Sequence, residues 1–98
     1  MNIKKWLQER KFKKEIKTKT QNMRSWYETK LSEVETSSIS YLCKLQGRQF
    51  DEIKMVKIQL AQTNNQEKIQ LLTEHLNLAE RLISRISDRV RRSFKKVA

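Results

Sequence analysis

The chain contains no proline and a single glycine, Gly47. Sheet folds need frequent tight turns, and tight turns draw on glycine and proline. Their near absence points to long helices joined by few connections. At 98 residues, with 37% hydrophobic and 34% charged, the chain spans a single domain, 1–98, that buries a modest core when it stands alone. The expected architecture is all-α: a helical hairpin or three-helix unit with a C-terminal coiled-coil-like seam, completed by self-association.

Apolar spacing predicts three helices, at about 2–35, 38–62 and 65–96. In the first, Phe12, Ile16, Met23, Tyr27, Leu31 and Val34 recur at helical steps and share a face. Ile3, Trp6 and Leu7 fall on another side. Thr36, Ser37 and Ser38 read as a break, because a serine hydroxyl accepts a bond from the orphan amides of a helix start. The second helix takes Ile39, Leu42, Cys43, Phe50, Ile53 and Leu60 as its stripe. Gly47 lies inside it at a cost of about 1 kcal/mol against alanine, and reads as a kink or a close helix crossing. Residues 62–67 are polar throughout. Asn64 followed three residues later by Glu67 has the form of a capping box, so a turn is expected here. The alternative is one helix from 38 to 96 with a polar waist.

The third helix carries the strongest pattern. Ile69, Leu72, Leu76, Ala79, Ile83, Ile86, Val90 and Val97 alternate three- and four-residue steps, with Ser93 in the one polar slot. That is the a/d seam of a coiled coil, assigned here to an oligomer interface. Leu71, Leu78 and Leu82, with His75 among them, form a second stripe beside it. A two-stranded coil needs one seam; two imply neighbours on two sides, as in a bundle.

The net charge is +11, and it is unevenly placed. Residues 1–24 hold nine basic and two acidic side chains, +7; residues 81–98 hold seven and one, +6; residues 25–80 hold six and eight, −2. Charge of this size speaks of partners: nucleic acid, an anionic membrane or an acidic protein. Each basic end forms a stripe on its helix. Arg10, Lys14, Lys17 and Arg24, flanked by Lys13, form one. Arg81, Arg85, Arg89, Arg92 and Lys96 form the other, and each is about 20 Å long. Like charges at i,i+4 destabilise a helix by a few tenths of a kcal/mol per pair, a cost that a polyanion reverses. Basic residues at a helix C-terminus also suit the helix dipole, which accounts for part of the second stripe but for none of the first.

These stripes predict a non-catalytic protein that binds the phosphate backbone of duplex RNA or DNA without sequence specificity. No RNP, KH, zinc-finger or bZIP pattern is present. Trp6, beside Lys4, Lys5 and Arg10, is a candidate for base stacking or membrane contact. Two alternatives are a coiled-coil adaptor docking on an acidic partner, and a peripheral membrane protein that uses its basic N-terminal helix. Size and composition fit an accessory protein of a virus, phage or plasmid. His75 and Cys43 are read as packing residues, Cys43 as a small hydrophobe on its helix's stripe. No catalytic residue, metal site or cofactor is expected. One cysteine permits no intrachain disulfide. With no long apolar run and no apolar h-region near the start, the expected location is cytoplasmic, or host cytoplasm or nucleus for a viral protein.

Overall fold

The computed structural model describes residues 2–95. It holds three helices: α1 Ile3–Glu33, α2 Ile39–Gln62 and α3 Gln66–Lys95. Each start is capped by a side chain. Asn2 Oδ1 accepts from the amides of Lys4 and Lys5, at 3.1 and 3.4 Å. Ser38 Oγ accepts from the Tyr41 amide at 3.2 Å. The turn between α2 and α3 is real, but its cap is Asn65 rather than Asn64. Asn65 Oδ1 accepts from the Lys68 amide at 3.0 Å, while Thr63 Oγ1 accepts from the Asn65 amide at 3.3 Å. Thr63 is extended, so the chain needs one more residue before the helix begins, and Glu67 has no capping partner at Asn64.

Residue pairing gives the topology. Phe12 meets Lys68, Arg24 meets Glu74 and Glu35 meets Arg92. These rise together, so α1 and α3 are parallel. Gln46 bonds Ile83 and Ser87, whereas Glu52 lies beside His75; α2 is therefore antiparallel to both. α3 packs against each of the other helices, while the backbones of α1 and α2 stay apart. Side chains bridge them, as in the Tyr27–Gln49 bond. The result is a rod of 69 × 24 × 15 Å.

The double stripe of α3 follows from this arrangement. Its Ser87 side faces α2 and its Glu74 side faces α1, with His75 reaching both. Ala79, Leu82 and Ile86, between the two, are each 0% exposed. Ile69, Leu72, Leu76, Ile83 and Val90 are half-buried, so the seam is occupied largely within one chain. Val97 lies outside the described residues. Tyr27, Val34, Leu42 and Leu45 complete the core.

The α2 stripe differs from the expectation. Cys43 and Phe50 are exposed, and the inward face is Leu42, Leu45, Gln49 and Val56, with Ile39, Ile53 and Leu60 half-buried. The cause is Gln49. A polar residue interrupts the apolar pattern on the buried face, and it is tolerated there because Tyr27 satisfies its side-chain oxygen. Gly47 does not break α2, which continues helical through it. Nor does it serve a crossing within the chain, since a Cβ added there would meet nothing within 4 Å.

Candidate nucleic-acid interface

Because α1 and α3 are parallel, the basic start of α1 and the basic end of α3 lie at opposite ends of the rod. Lys17 and Leu71 line one groove; from Leu71 to Arg85 the helix rises about 21 Å. The two stripes therefore form two separate surfaces on one protomer rather than a single continuous one.

The α1 surface is the more open. Residues 3–11 are all exposed, and Phe12, under the ammonium of Lys68, marks the start of the packed part. The helix thus projects beyond the bundle by about 13 Å. Arg10, Lys13, Lys14 and Lys17 are exposed and take part in none of the ion pairs among the described residues. Arg10 rests over the Trp6 ring, 5.4 Å from its centre. Lys13 and Lys17 border α3 near Glu67 and Glu74. Arg24 departs from the set: its guanidinium grips Glu74 through two bonds, at 2.5 and 3.0 Å, which ties α1 to α3.

The α3 surface contains its own counter-ion. Arg92 bonds Glu35 at 2.5 Å, and Arg89 approaches the same carboxylate at 4.0 Å. The Arg92 hydrogen bond, aided by the charges of Arg92, Arg89 and Arg85, holds the Glu35 carboxyl below its usual range. Arg81 and Arg85 are exposed. Lys96 lies outside the described residues. Glu35 and Glu74 escaped the sequence reading because nothing local pairs them with arginines more than forty positions away; the parallel packing does so.

A second feature lies in the groove between α1 and α2, about 420 Å³ in volume. Its floor is a polar chain. The Tyr27 hydroxyl donates to Gln49 Oε1 at 2.6 Å and lies 3.0 Å from His75 Nε2. With the tyrosine proton committed to Gln49, His75 is the donor to Tyr27. Burial raises the pKa of Tyr27 and lowers that of His75, so both neutral forms are favoured and the chain of bonds is reinforced. On the rim, the Lys30 ammonium bonds Tyr41 at 2.9 Å and sits 5.6 Å from the centres of the Trp26 and Tyr41 rings. Cys43 is exposed elsewhere on α2. Among the described residues, no group of three or more His, Cys, Asp or Glu side chains could hold a metal ion, and no helix is long and apolar enough to cross a membrane.

No protein-family model, curated protein or solved structure matches the chain.

Proposed function

We propose that the protein binds nucleic-acid duplexes through their phosphates, without reading sequence, and that the N-terminal half of α1 is the principal contact. The observation that carries this reading is the run of Arg10, Lys13, Lys14 and Lys17, all exposed and outside the ion pairs among the described residues, which begins on the projecting segment and continues onto the packed part of α1. An exposed cationic helix face of this kind places several charges along a phosphate strand, and each contact releases counter-ions. The α3 surface is a secondary contact, because Glu35 already occupies Arg92 and Arg89.

The test is fluorescence anisotropy with duplex and single-stranded DNA and RNA across a salt series. Replacing Arg10, Lys14 and Lys17 with glutamine removes their charge and keeps helix propensity. Binding weakens for every sequence, and the slope of log K against log salt flattens by about two to three on duplex DNA. The same change at Arg85, Arg89 and Arg92 has the smaller effect. Unchanged affinity and slope in the α1 variant remove the proposal.

A membrane reading has one observation in its favour. Ile3, Trp6 and Leu7 are 69, 45 and 52% exposed on the same basic segment, a composition suited to an anionic lipid surface. Co-sedimentation with phosphatidylserine vesicles that is lost in Trp6→Ser, while duplex affinity in that variant is unchanged or absent throughout, supports the membrane over nucleic acid.

A further inference from the structure

The outward face of α2 carries a pattern that the protomer does not use. Gly47, Asp51, Lys54 and Ile58 follow one another at steps of 4, 3 and 4, which confines them to an arc of about 60°. All four are exposed, Ile58 at 51%, and the exposed Phe50 and Met55, at 51 and 54%, border the arc on either side. Asp51 and Lys54 belong to none of the ion pairs among the described residues. Gly47 weakens the helix by about 1 kcal/mol relative to alanine, yet nothing within the chain needs its small size.

The four positions read the same from either end under one exchange: small for large, acid for base. We infer that two copies of this chain pair antiparallel through α2, with Ile58 of each copy seated on Gly47 of the other and Asp51 of each facing Lys54 of the other. A two-fold interface must complement itself, and this one does so in both shape and charge. The missing Cβ at Gly47 lets the facing helix come close enough to bury Ile58. Charge across the whole molecule favours the same face. Two chains of +11 repel most at their ends, and α2, with four basic and two acidic side chains, carries +2 against +7 for residues 1–24 and +6 for residues 81–98. The α3 seam is not free for this purpose, since Ala79 and Ile86 are fully buried inside the protomer. The pairing also has a geometric consequence. It sets the projecting α1 end of one copy at the same end of the assembly as the Arg85–Arg92 end of the other.

The test uses the full chain without nucleic acid and so stands apart from the functional proposal. Analytical ultracentrifugation of the unaltered protein gives twice the protomer mass of 11.8 kDa. Asp51→Lys places like charges opposite each other at both of the symmetry-related central contacts, as does Lys54→Asp, so each weakens association by at least about tenfold. Both positions are exposed, and circular dichroism shows helicity retained. Mixing the two variants restores a dimer, now a heterodimer, because the lysine pair of one copy meets the aspartate pair of the other. The double exchange on one chain also restores self-association. A monomeric unaltered protein overturns the inference. So does a dimer that is indifferent to both single changes, or two dissociated variants that stay apart when mixed.

Discussion

Tyr27→Phe isolates the polar chain that joins the three helices. The ring stays, so the apolar packing of a side chain that is 2% exposed is kept, and only the hydroxyl is lost. That removes the bond to Gln49 at 2.6 Å and the bond from His75 at 3.0 Å. A net hydrogen bond contributes about 1 kcal/mol, and a buried group left unsatisfied costs a further ~1–3 kcal/mol. Gln49, itself 2% exposed, is such a group. His75 is only half-buried and can turn to water, so its loss is the smaller. The expected destabilisation is about 2–3 kcal/mol, a large part of the 5–15 kcal/mol typical of a domain. In a domain of this size it lowers Tm by roughly 10–20 °C. Urea unfolding followed by circular dichroism measures it. Adding Gln49→Leu to Tyr27→Phe removes the orphaned amide and recovers much of the loss, so the double-mutant cycle shows a coupling of about 1–2 kcal/mol. A Tyr27→Phe protein within about 0.5 kcal/mol of the parent, with an additive cycle, refutes the assignment of Gln49 as a satisfied buried amide.

The same core site sets a pH dependence. Burial, opposed in part by Glu52, lowers the pKa of His75 from its ordinary 6.5, so the unfolded chain takes up the proton first. Stability is complete above about pH 6.5 and declines as pH falls through the lowered folded value, and His75→Gln flattens that part of the stability–pH curve. Leu82→Ala empties a position that is 0% exposed where α3 meets its neighbours; chemical unfolding shows a loss of about 2–5 kcal/mol with no gain of function. Glu35→Gln releases Arg92 and Arg89 from their internal partner. Under the proposed function it tightens duplex binding and steepens the salt slope by about one to two, as read by anisotropy; an unchanged slope separates the α3 surface from nucleic acid.

Helix number, helix bounds to within a few residues, and the buried stripe of α1 were legible from spacing alone, because apolar periodicity reports a one-sided environment directly. The paired stripes on α3 foretold two neighbours for the same reason. Spacing misled on α2, where Cys43 and Phe50 are exposed while Gln49 is buried. A hydrophobicity pattern assigns a polar residue to water, and only the approach of the Tyr27 hydroxyl from another helix makes its burial affordable. The basic stripes were equally legible, but their meaning was not. Charge is a property of composition, whereas its neutralisation depends on which side chains meet across helices.

The sequence by itself determined that this chain is three long helices with cationic ends, because helix formation and amphipathicity are local properties repeated every few residues. The tertiary structure alone decided that α1 and α3 run parallel. That one choice separates the two cationic surfaces, brings Glu35 to Arg92 and Glu74 to Arg24, and leaves the start of α1 projecting. Helix direction and register arise from how three apolar faces fit together in space, a relation among distant positions that no local window of residues contains.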